Sequence, residues 1–270
     1  MSGATAELAA ELLAAYDEAR LMTLPSVQQP GLGLLEAYVV AEHVRQQRQA
    51  RGERQLGWKI GFTNRTIWAR YGVHAPIWGP VWDRTASLLD GPEAQLSVTG
   101  LVQPRIEPEV VFGFARAPEA GMDEAALAGC LEWVAHGFEI VHTHCADWRF
   151  TAPDTVADFA LHGRLFVGPR MQVAGWQTLG ADLSAMSMAL RRGGTEVDRG
   201  LGENVLGGPL SALRIWLGAM AQHSPAWQVS PGDIVTTGTM TDAWPVAPGQ
   251  VWTSEPGDAR LAGLRLEVVA

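Results

Sequence analysis

The chain has 270 residues, with 29 acidic against 20 basic side chains and a formal net charge of −9, so it carries no electrostatic footprint for nucleic acid. Charged residues make up 18% and apolar residues 47%, which suits a large buried core and excludes global disorder. No apolar run approaches the roughly 18 residues of a membrane-spanning helix. The two cysteines, Cys130 and Cys145, form neither a disulfide framework nor a CxxC pair, as in a reducing, cytoplasmic setting.

The acidic start of the chain is unlike a secretory or transit peptide. Residues 5–22 read as an amphipathic helix, with Leu8, Leu12, Ala15 and Ala19 on one stripe and Thr5 as N-cap. A Pro- and Gly-containing loop leads to a second helix over 34–49, with Ala37, Val40, Ala41 and Val44 inward. QLGWKIGFT then reads as a strand, followed by a short helical piece, NRTIWARYG. From about residue 86 short apolar runs separated by turn residues predict strands at 86–89, 106–114, 137–142, 165–167, 187–191, 233–237 and 264–269. Helices are expected at 123–135, capped by Asp123, and at 209–222. Strands and helices do not alternate regularly. The expected fold is therefore α+β, a mostly antiparallel sandwich or barrel over 81–270, with an N-terminal helical region over 1–80 packed on it as one integrated domain.

Of the 20 basic residues 19 are arginine and one is lysine, Lys59. That is either chance or a position needing a compact charge whose pKa can be lowered until it exchanges protons. The segment QPRIEPEVVFGF carries Glu107 and Glu109 on either side of Pro108, which forbids a helix interior there. Side chains two apart on a strand share a face, so two carboxylates lie close together. Either they are solvated on an exposed edge, or a hard cation such as Mg²⁺ or Mn²⁺ removes their repulsion. Glu139 interrupts the apolar run of HGFEIV, costly unless partnered. His142, His144 and Cys145 raise the thought of zinc, although a surface loop is the simpler reading. Asp154 and Asp158 are four apart, and Asp154 suits a helix cap. Trp58, Trp78 and Trp82 could wall an apolar pocket. No phosphate loop, serine elbow or full dinucleotide fingerprint is present.

Taken in order, GWKIGFTN, PIWG, PRIEPEV, FEIV, DTVAD, VLGGPLSAL and GDIVTTGTMTDAWPVAPG resemble the 2-keto-4-pentenoate hydratase and 4-oxalocrotonate decarboxylase family of the fumarylacetoacetate hydrolase superfamily, over nearly the whole chain. The resemblance implies a Mg²⁺ or Mn²⁺ site made by Glu107, Glu109 and Glu139, with Lys59 in the same pocket as the catalytic proton carrier or carboxylate-holding charge. It implies that Thr237, Gly238 and Thr239 offer donors to substrate oxygens, and that Asp154 and Asp158 bind substrate or support the site. The implied activity is that of a lyase on short 2-oxo-4-enoic or 2-hydroxy-2,4-dienoic acids of aromatic meta-cleavage catabolism. Hydration leads, with oxalocrotonate-type decarboxylation, acylpyruvate C–C hydrolysis and a non-catalytic partner subunit as alternatives. A small 2-oxo acid is the implied partner, in a homo-oligomer that a neighbouring pathway enzyme could join. Three segments depart from the family pattern. Ile77 stands where many hydratases carry an acid and decarboxylases more often an isoleucine. A common Asp-Ser-Arg run is replaced by His142, Thr143 and His144, and a usual Asn by Phe159.

Overall fold

The computed structural model describes residues 3–224 and 226–270. The strands are β1 (Gln55–Gly61), β2 (Ile77–Trp82), β3 (Ala86–Leu88), β4 (Glu93–Ser97), β5 (Arg105–Phe114), β6 (Leu131–Val141), β7 (His162–Val167), β8 (Met171–Gln172), β9 (Ser187–Arg192), β10 (Thr195–Leu201), β11 (Ile234–Thr239), β12 (Trp244–Pro245), β13 (Val251–Pro256) and β14 (Arg265–Val269). The helices are α1 (Gly3–Asp17), α2 (Pro25–Gln28), α3 (Leu34–Ala50), α4 (Trp68–Tyr71), α5 (Glu124–Ala128), α6 (Ala152–Ala157), α7 (Leu179–Ala185) and α8 (Pro209–His223). The larger sheet has the order β2-β1-β11-β5-β6-β7-β3, with β12 on β5 and β8 on β6. The smaller has the order β10-β9-β13-β14-β4. Among the strands of the described residues only β1/β11, β3/β7 and β4/β14 pair in parallel, so the α+β, mostly antiparallel expectation holds.

Alternation along β5 and β6 sets the layers. Ile106, Phe138 and Ile140 pack with Leu190, Trp252 and Leu266 of the smaller sheet, and the residues between them point the other way. The apolar stripes of α1 and α3 (Leu8, Leu12, Ala37, Val40, Val44) join Trp58, Trp78 and Trp216 in the main core. Thr5 lies inside α1 rather than capping it.

Several boundaries moved for identifiable reasons. Asp123 does cap α5 by accepting from Ala126 N–H, 2.8 Å, but that helix ends at Ala128, not Ala135. Residues 131–135 instead open β6, which pairs with β5 on one side and with β7 and β8 on the other. Two ladders outweigh local helix propensity. In α6 the cap is Thr151, with Asp154 at the third position of a reciprocal capping box. IWGPVW, for which the sequence predicts no element, forms β2, an edge strand where Pro80 costs little. The division expected at residue 80 falls inside β2, and residues 55–82 contribute two strands to the larger sheet.

Candidate active site

β5 runs between β11 and β6, so its glutamates are not on an edge. Glu107 pairs with Glu139 of β6, and Glu109 with Thr239 of β11 and Gly137 of β6. The ladder to β11 is irregular between Thr236 and Thr239, where Gly238 adopts φ +97°. That left-handed backbone favours glycine, and it turns the Gly238 N–H onto Glu109 Oε2 at 2.9 Å. The Thr236 hydroxyl donates to the same oxygen. Carboxylate oxygens of Glu107, Glu109 and Glu139 all lie within 4.8 Å of one another, the one such group of possible metal ligands among the described residues.

Burial pushes the carboxyls of Glu107 and Glu109 well above the usual range, and each is raised further by a neighbouring glutamate. Burial likewise raises Glu139, against the opposing charge of Lys59. Glu109 Oε1 is buried with no hydrogen-bond partner. An all-oxygen ligand set with a repulsive charge and an unsatisfied oxygen fits a hard divalent cation.

Lys59 lies on β1, across β11 from β5, and is 2% exposed. Its ammonium is 3.3 Å from Glu139 Oε2 and donates to the carbonyl of Ala160 at 3.0 Å. Burial alone would lower its pKa, but Glu139, Glu107 and Glu109 outweigh burial and hold it above its ordinary value. The three carboxylates thus favour the ammonium form of Lys59. His162, neutral because burial pushes its pKa well down, donates Nδ1–H to Glu139 Oε1 at 2.8 Å. Its Nε2 is then free to accept the Thr85 hydroxyl, 2.8 Å away.

A cavity opens over this cluster, lined by Lys59, Glu107, Gly238 and Thr239, by the apolar side chains of Phe62, Ile67, Ile77, Val141, Phe150 and Leu161, and by Arg70 and Arg105. No family model matches the sequence. The chain is 30% identical over 239 residues to a 2-hydroxyhexa-2,4-dienoate hydratase of Comamonas testosteroni, 88% of each chain. It is 30% identical over 202 residues to a 4-oxalocrotonate decarboxylase of a Pseudomonas species, 75% of each. The chain belongs to the 2-keto-4-pentenoate hydratase and 4-oxalocrotonate decarboxylase family. Its fold is that of the 4-oxalocrotonate decarboxylase of Pseudomonas putida, solved with magnesium and adipate, at a TM-score of 0.88, 24% identity, and coverage of 98% of this chain and 97% of that one.

In this member of the hydratase and decarboxylase family, several residues singled out from sequence lie away from the cavity lining. The Asp154 carboxylate accepts from Ser26 N and Oγ and from Thr151 N and Oγ1, at 2.7–2.9 Å. Asp158 accepts from Thr143 Oγ1, His144 N and His144 Nδ1. Thr237 turns its hydroxyl onto the carbonyl of Val110, 3.0 Å. His142 and His144 are buried, not on a surface loop. They are not part of the group of possible metal ligands among the described residues; His144 Nδ1 pairs with Asp158 and His142 Nδ1 accepts the Val102 N–H. Trp58, Trp78 and Trp82 are core, and Trp148 is the tryptophan in the cavity wall. Sequence reasoning missed His162, Thr236 and the Ala160 carbonyl. Thr236 had a signal, its place in the TTGT strand, whereas nothing local marked the other two.

Proposed function

We propose that this family member is a divalent-cation-dependent lyase, with Mg²⁺ or Mn²⁺ as the ion, that hydrates short 2-hydroxy-2,4-dienoic acids in aromatic catabolism in the manner of a 2-keto-4-pentenoate hydratase. The observation that carries the proposal is the Glu107–Glu109–Glu139 cluster with Lys59 beside it, opening into a cavity with largely apolar walls. A divalent cation held by the three glutamates would draw electron density from the substrate's C2 oxygen. Hydration then needs proton traffic: the dienol loses its hydroxyl proton and gains one at C5, after which water adds hydroxyl at C4 and hydrogen at C3. Lys59 is the group of this chain that carries a proton into the cavity, held by Glu139 and Ala160. His162 and Thr236 keep the ligand carboxylates oriented, and the apolar walls limit bulk water.

Decarboxylation of an oxalocrotonate is the second reading, supported by Ile77 in the cavity wall. An isoleucine there neither polarises an attacking water nor repels a distal carboxylate. Acylpyruvate hydrolysis loses support because no histidine is among the cavity-lining residues. A non-catalytic role fits poorly with a complete set of glutamates and lysine. Two buried free cysteines suit the cytoplasm, and we place the protein there as a homo-oligomer that could join a neighbouring enzyme of its pathway. The test is loss of dienol absorbance from 2-hydroxypenta-2,4-dienoate against CO₂ release from 4-oxalocrotonate, each with Mg²⁺ or Mn²⁺. Hydratase activity is the expected outcome, and inactivity on both would refute the lyase reading.

A further inference from the structure

Several of the polar groups lining the cavity are committed to the protein. The Gly238 N–H is held by Glu109, Thr239 Oγ1 accepts from Thr241 N–H, and Asn64 Oδ1 accepts from Thr66 N and Oγ1. Thr63 is the one lining residue, among those described, whose side chain has a fully buried polar atom without a partner. It is 1% exposed and lines the cavity, and its hydroxyl has no hydrogen-bond partner. The hydroxyl stands directly over Gly238, where an added Cβ would lie 1.8 Å from Thr63 Oγ1. Its backbone is pinned, because the Thr63 carbonyl accepts Leu206 N–H at 3.0 Å. A buried hydroxyl left unpaired is costly and uncommon in native proteins. A partner that arrives only with ligand accounts for it.

We infer that the Thr63 hydroxyl donates a hydrogen bond to the C1 carboxylate of the 2-oxo acid, an assignment that rests on the function proposed above. The depth of the site decides which end of the substrate this is. Along β5 the side chains run from Arg105 through Glu107 to Glu109. Arg105 and Glu107 are partly accessible, whereas Glu109 is fully buried. Arg105 stacks 4.1 Å over Trp148 at the accessible end, and Thr63 sits over Gly238 at the Glu109 end. The carboxylate and 2-oxo group must lie against the glutamate cluster, so they enter first and reach Thr63, while the distal chain trails toward Arg105. At the deep end three carboxylates against one ammonium and a divalent cation would leave no net charge, and the cationic Arg105 stands at the accessible end. A neutral donor close to the substrate's C1 carboxylate therefore matters.

Oxalate, the smallest mimic of the C1–C2 unit, separates the possibilities by calorimetry in saturating Mg²⁺ or Mn²⁺. Thr63→Val, nearly isosteric, should weaken oxalate about 10- to 100-fold, as for a lost hydrogen bond to a charged group. Its affinity for the metal alone should be unchanged. Thr63→Ser should recover most of the oxalate affinity. The metal-free melting temperature of Thr63→Val should be equal or higher, because an unsatisfied buried hydroxyl is gone, while the further rise given by oxalate shrinks. Unchanged oxalate affinity in Thr63→Val would overturn the role of Thr63 and leave the lyase reading intact. Failure of the unmodified chain to bind oxalate with either metal would overturn both.

Discussion

The ammonium of Lys59 donates to the carbonyl of Ala160 at 3.0 Å, joining residues 101 positions apart. Ala160 belongs to an unusual turn. Phe159, Ala160 and Leu161 have φ of 56°, 51° and 65°, three consecutive non-glycine residues in the left-handed region, each costing of order 1–3 kcal/mol. The turn is held from both ends. Asp158 is fixed by Thr143 and His144, and the Leu161 carbonyl accepts His142 N–H at 2.9 Å. The Asp158–His144 pair thus supports the turn that holds Lys59, which gives Asp158 a structural role away from the cavity.

Lys59→Arg tests the need for a compact ammonium. A guanidinium keeps the charge, but it is larger, planar and always protonated. Turnover should fall by about 100-fold or more, with a native circular-dichroism spectrum. Near-normal turnover would return Lys59 to chance.

Glu109→Gln should abolish the rise in melting temperature produced by Mg²⁺ or Mn²⁺. Without metal the variant should melt at the same temperature or higher. One member of a repelling buried group is removed, and the amide oxygen can still accept from Thr236 and Gly238. Retained metal binding would show that the glutamates are not ligands.

His162→Ala removes the group that orients Glu139. Metal affinity should drop about 10- to 100-fold, read by titration calorimetry, and His162→Gln, which retains a donor, should lose less. Equal affinity in both variants would mean that β6 alone orients Glu139.

Burial, reinforced by His144, pushes the pKa of His142 from 6.5 down to about 3. The unfolded chain takes up this proton below about pH 6.5 and the folded chain does not until about 3. The contribution to stability is therefore complete above pH 6.5 and is lost as pH falls through that window, by up to about 1.4 kcal/mol per pH unit. Urea denaturation between pH 7 and 4 should show a shallower loss for His142→Asn than for the unmodified chain, and matching slopes would refute the assignment.

The parts of the site legible in the sequence were those set by short-range rules. Pro108 forces an extended run, and the two-residue period of a strand places Glu107 and Glu109 on one face, whatever surrounds them. The rarity of lysine marked Lys59, and the order of short segments carried the family. Only the tertiary structure decided what those residues meet. Glu139 stands opposite Glu107 because of the β5–β6 register, and a slip of one residue would turn it to the other face. The same non-local pairing brought His162 to Glu139, made residues 131–135 strand instead of helix, and buried His142 and His144. The physical reason is one of range. Backbone sterics and side-chain period act within a few residues, whereas register, burial and charge neighbourhood depend on strands distant in sequence.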